Sequence, residues 1–123
     1  MSNAATDSNS NAIGATERSN LTVSSVQLNF LHRRSNQALL IGQFSVDTES
    51  ATGGGVVAGI LVNGNLMMDT QINNLQGNTG TLLSLSGIVA VGQGQHTFDL
   101  QAYIYNMPSA SIHHRSITVV RLE

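Results

Sequence analysis

From His96 to Tyr105 the chain alternates without a break. His96, Phe98, Leu100, Ala102 and Ile104 share one parity; Thr97, Asp99, Gln101, Tyr103 and Tyr105 share the other. A two-residue period with one apolar face is the signature of a half-buried β-strand. A loop holding the only proline, Pro108, leads to a second strand over residues 112–122 that differs in kind. Ile117 and Val119 point one way and Val120 and Leu122 the other, so both of its faces ask to be covered. A two-layer sandwich covers one face of each sheet, and a doubly apolar strand therefore implies a partner surface.

The remaining strands follow from the same rule. In residues 21–32, Leu21 and Val23 share one parity and Val26, Leu28 and Phe30 the other, which predicts a bulge across Ser24 and Ser25. Residues 38–47 carry Leu40, Phe44 and Val46 on one face. Residues 56–62 and 66–72 flank Asn63-Gly64, a pair that accepts the positive φ angles of a tight hairpin turn. Residues 81–91 set Leu83, Leu85, Val89 and Val91 against Leu82, Ile88 and Ala90, again apolar on both sides. The expectation is an all-β chain, an antiparallel β-sandwich or jelly roll of seven or eight strands.

Residues 1–19 are Ser, Asn, Ala, Thr and Gly around one isolated Ile13. Such a segment cannot bury enough apolar surface to offset its ordering entropy. The sequence reading therefore divides the chain into a flexible amino-terminal arm, 1–19, and a β domain, 20–123.

Charge narrows the classes of function. Charged residues are 10% of the chain against roughly 25% in an ordinary soluble domain, and all five cations are arginines. A net charge of −2 offers no basic field for nucleic acid. No run approaches the roughly 20 apolar residues of a membrane-spanning helix, and no basic start with an apolar run predicts a signal peptide. Absence of cysteine removes thiolate catalysis and disulfides together.

Catalytic constellations fare no better. Asp99 stands three residues from His96 on the opposite parity, and Asp47, Glu49 and Asp69 are scattered. His113 and His114, adjacent on a strand, are expected to point to opposite faces and make a poor metal pair. The expectation is no enzyme, with no catalytic, cofactor-binding or metal-binding residues and no cofactor.

Gly94-Gln95-His96-Thr97-Phe98, the alternating strand after it, and Arg115-Ser116-Ile117-Thr118-Val119-Val120-Arg121-Leu122 form a closing pattern. With the Asn63-Gly64 hairpin upstream, it resembles the short bacterial and phage versions of the tumour-necrosis-factor/C1q-like jelly roll. That resemblance implies a homotrimer packed about a threefold axis, and a non-catalytic module of a virion, spore or receptor-binding surface. The reading is then a structural module on a virion or extracellular particle surface, in capsid decoration or a tail fibre, bound to other particle proteins and anchored by its arm. Ile88, Ala90, Val120 and Leu122 are the candidate oligomer interface. The alternative is a glycan- or receptor-binding module, with Tyr103 and Tyr105 as stacking platforms.

Overall fold

The computed structural model describes residues 3–33, 36–48, 53–75 and 80–122. Nine strands run in chain order: β1 (Ala4–Asn9), β2 (Ile13–Thr16), β3 (Leu21–Phe30), β4 (Asn36–Asp47), β5 (Gly55–Val62), β6 (Asn65–Ile72), β7 (Thr81–Val91), β8 (Gly94–Tyr105) and β9 (Ser109–Leu122). They form two antiparallel sheets. One is ordered β1-β9-β4-β7, with β2 also on β9; the other is β3-β8-β5-β6. The first strand lies beside the last, and the chain passes back and forth between the layers, as in a jelly roll.

The sheets meet over the parities expected from the sequence. Phe44, Phe98, Leu100 and Ile117 are fully buried, joined by Phe30, Leu40, Ile60, Ile104, Ile112 and Val119. Phe30 and Phe98 tilt against one another with ring centroids 6.1 Å apart. Both apolar rows interdigitate because alternation sends every second side chain of each strand into the one shared layer.

Asn63 and Gly64 turn β5 into β6 with φ angles of 51° and 86°. Two successive positive φ values belong to the turn whose twist matches a right-handed hairpin. The bulge predicted in β3 falls between Thr22 and Ser24, where pairing with β8 shifts register. Its effect is to turn Val23 and Ser24 inward together; both are buried.

The flexible-arm expectation for residues 1–19 is corrected over the described part. Ala4 to Asn9 pair with β9 from Val120 to Arg115, and Ile13 to Thr16 pair with β9 from Ile112 to Ser109. The segment is the jelly roll's first strand, interrupted once. Its polar composition is tolerated because most of its side chains face solvent, while its backbone completes the edge of β9. Asp7, exposed like most of β1, also reaches the other sheet: its carboxylate accepts from the hydroxyl of Ser24 at 2.7 Å and the amide of Ser25 at 3.1 Å. β1 is thereby latched to the bulge in β3.

The histidine expectation is also corrected. His114 sits at φ 51°, inside the irregularity where β9 pairs with β4 between Gln43 and Ser45. This left-handed residue breaks the strict alternation of β9. The rings of His113 and His114 consequently meet edge to face, 4.8 Å apart, rather than pointing to opposite faces. The interruption between β1 and β2 stands opposite the same place.

Candidate functional site

The outer face of the β1-β9-β4-β7 sheet gathers the four residues singled out as an interface. Register places Ala4 beside Val120, Val120 beside Leu39, and Leu39 beside Ile88. In the next row Leu122 lies beside Gln37 and Gln37 beside Ala90. Ile41 extends the patch one row further, between Thr118 and Ser86. Ile88 is 60% exposed. Beyond Ile41 the rows turn polar, with Ser8, Ser116, Gln43 and Ser84 in line. No Asp, Glu or Arg belongs to these rows. Sequence reasoning missed Leu39 and Ile41, yet their parity, opposite to Leu40, Phe44 and Val46, carried the signal.

Tyr103 and Tyr105 both project from the outer face of the other sheet, but their surroundings differ. Tyr105 pairs in register with Gly55, and a side chain at that glycine would collide with the tyrosine hydroxyl. That hydroxyl is buried, with no hydrogen-bond partner among the described residues. Its ring lies over β5 and is not presented as a free platform. Tyr103 pairs with Val57 and lines a groove of about 280 Å³.

The floor of that groove is Gly59, which stands in one row between Asp69 of β6 and Gln101 of β8. A Cβ at Gly59 would come within 2.9 Å of the Leu66 methyl, so the glycine makes room for the end of Leu66 over the strand. Val57, Leu61, Leu66 and Tyr103 form apolar walls, and Asn20, Asp69 and Gln101 supply polar groups. Sequence reasoning missed Gly59 and Asp69 here. A glycine alternating with Val57 and Leu61 on the wet parity of a strand was the available sign.

His96 holds turns rather than chemistry. Its Nδ1 lies 2.8 Å from the Asn63 amide nitrogen and its Nε2 lies 2.8 Å from the Gly92 carbonyl oxygen. Asp99 accepts from Ser25 on the outer face, away from it. His113 Nε2 lies 3.4 Å from the Asp47 carboxylate. Among the described residues no three His, Asp or Glu side chains converge in a way that could hold a metal ion, and no helix is long and apolar enough to cross a membrane.

Arg115 and Arg121 share the inward parity of Ile117 and Val119 and close the sandwich at one edge. Each donates from Nη1 to a carbonyl oxygen of β3: Arg115 to Val23 at 3.0 Å, Arg121 to Asn29 at 2.6 Å. Both bonds cross from one sheet to the other.

No family model matches the chain, and no curated protein matches it. Among solved structures it is similar to the protein of infectious bursal virus-derived T=1 particles, with a TM-score of 0.69 at 13% identity. That likeness covers 98% of this chain and 31% of the viral one. The VP2 subviral particle of infectious bursal disease virus gives 0.67 at 12% identity, over 98% of this chain and 32% of that. The C-terminal domain of EclA, described as a sugar-binding protein, gives 0.56 at 12% identity, over 90% of this chain and 79% of that domain. The chain thus spans about a third of the length of the viral chains. At these identities the likeness is one of fold: a β-sandwich of the kind found in virus particles and in a sugar-binding domain.

Proposed function

We propose that this chain is a non-enzymatic structural module of a virion or related particle surface, and that it self-associates as a homotrimer. The observation that carries the reading is the uncharged apolar half of the outer β1-β9-β4-β7 face, built from Leu39, Ile41, Ile88, Ala90, Val120 and Leu122. Fully burying a Val, Leu or Ile side chain is worth about 1.5–3 kcal/mol, and several such residues per copy offset the entropy of association. The fold shared with particle proteins supports the location. Threefold symmetry comes from the resemblance of the closing strands to the tumour-necrosis-factor/C1q-like domains, because an apolar face alone does not count subunits. Residues 4–9 and 13–16 pair with β9, so any anchoring by the amino-terminal segment would act from within the sheet. Sedimentation equilibrium on the purified chain tests the reading: a trimer at micromolar concentration supports it, and a stable monomer overturns it.

A further inference from the structure

The groove over Gly59 lies on the opposite layer from the assembly face, and its chemistry is independent of how the chain associates. Its polar groups behave unlike their neighbours on the same outer surface. Toward the other end of β3 and β8 the polar side chains satisfy one another: Ser25 donates to Asp99, Gln27 to Thr97, and Gln95 to Gln27. Around Gly59 they do not. The side chains of Asn20, Asp69, Gln101 and Tyr103 have no hydrogen-bond partner among the described residues, yet they ring one apolar hollow.

We propose that this groove binds a single neutral pyranose ring. A sugar ring has an apolar C–H face and a rim of hydroxyls, each able to donate and accept. Tyr103 and Leu66 match the first, and Asp69, Gln101 and Asn20 match the second. Asp69 accepts hydroxyl protons, and a charge-assisted bond of this kind is the strongest the groove offers. Gln101 and Asn20 each donate and accept. The one formal charge in the lining is negative, which disfavours phosphorylated and carboxylated sugars. A volume of about 280 Å³ sits at the small end of ligand pockets and fits one ring rather than an extended chain.

The test is a two-dimensional ¹H–¹⁵N NMR titration of the full chain with the methyl glycosides of glucose, galactose and mannose. Cyclohexanol serves as the purely apolar ring and methyl glucuronide as the anionic one. The expected result is that a neutral glycoside shifts the amides of Gly59, Gln101 and Tyr103 with a dissociation constant of roughly 1 mM. Cyclohexanol and the glucuronide bind about tenfold more weakly or not at all, because neither satisfies the polar rim as placed. Tyr103→Ala and Asp69→Asn each lower affinity about tenfold while leaving the spectrum otherwise dispersed. Should Tyr103→Ala lose its fold, Gly59→Ala replaces it: its methyl group meets the flexible end of Leu66 at 2.9 Å and the Met68 carbonyl oxygen only at 3.7 Å, so it displaces the Leu66 wall and must lower affinity too. The proposal is overturned if no neutral glycoside moves the groove amides, if cyclohexanol binds as well as the sugars, or if the folded groove variants bind as the parent does.

Discussion

Arg115 on β9 donates to the carbonyl oxygen of Val23 on β3, 3.0 Å away in the other sheet. Arg121 repeats the arrangement on Asn29 at 2.6 Å. The two arginines and their two acceptors have equal spacing along their strands, so β9 and β3 run alongside one another from sheet to sheet, with β1 beyond β9. Arg121 is only 7% exposed, although its residue type is almost never fully buried. The bulge in β3 makes the first of these bonds available, because it turns Val23 and Ser24 toward β9 and β1 together.

Removing either arginine should therefore loosen the sandwich edge. A hydrogen bond to a charged group contributes about 1.5–3 kcal/mol, and Arg115→Ala should cost near the lower end because the side chain is partly exposed. Arg121→Ala should cost more, since it also vacates packed space at the end of the core. Equilibrium urea unfolding checks the order. Equal losses, or none, would show that the inter-sheet bonds do not hold the edge closed.

The hairpin turn offers a second check through His96. Asn63 spends its side-chain oxygen on the Thr97 amide at 3.0 Å, which leaves its nitrogen facing His96 Nδ1. Nδ1 must then accept, and the ring hydrogen sits on Nε2, aimed at the Gly92 carbonyl. Asn63→Gly keeps the backbone turn and loses only these bonds, at about 0.5–1.5 kcal/mol each. Asn63→Ala adds the cost of a left-handed alanine, about 1–2 kcal/mol. Nitrogen chemical shifts of the imidazole in the parent should report the Nε2–H tautomer, and urea unfolding should rank alanine below glycine.

How much of this was legible in the sequence depends on which atoms carried the information. Side-chain alternation exposed β3 to β9, the bulge at Ser24 and the turn at Asn63-Gly64, because burial writes itself into parity. β1 and β2 stayed hidden because they contribute backbone hydrogen bonds, and those leave no mark on composition. The contact between His113 and His114 was hidden too, since a single residue at positive φ resets the alternation and nothing in the sequence announces it. The groove was hidden as well, because it joins Gly59 of β5 to residues from β6 and β8. Only the register brings Asp69 and Gln101 to either side of it.

The first strand gives the third prediction. A chain beginning at Ile13 loses β1 and uncovers β9 from Arg115 to Val120, a row of unpaired donors and acceptors with apolar neighbours. It also strips the Asp7 carboxylate from Ser24, which is buried. Losing a hydrogen bond to a charged group costs about 1.5–3 kcal/mol, less where water replaces the partner. The truncated chain should unfold at lower urea concentration and aggregate through the bared edge. A truncated chain as stable and as soluble as the full one would return residues 4–9 to the status of a dispensable arm.

The apolar outer face gives the last. Ile88 and Leu82 are both on β7, both on its outward parity, and nearly equally exposed at 60% and 58%. Exposure alone therefore predicts the same consequence for Ile88→Asp and Leu82→Asp. Their rows differ. Ile88 stands in line with Leu39, Val120 and Ala4, whereas Leu82 lies beside Ser45, about 20 Å away along the strand. If the homotrimer packs through the apolar half of the sheet, Ile88→Asp buries an unpaired carboxylate in each copy and should shift the chain to monomer. Leu82→Asp should leave the trimer intact and add solubility. Circular dichroism guards against the trivial outcome, because neither side chain belongs to the core and both variants should keep the β spectrum. Sedimentation equilibrium on the two variants side by side reads the answer. Dissociation by both would spread the interface over the whole sheet, and dissociation by Leu82→Asp alone would move it to the opposite end of β7.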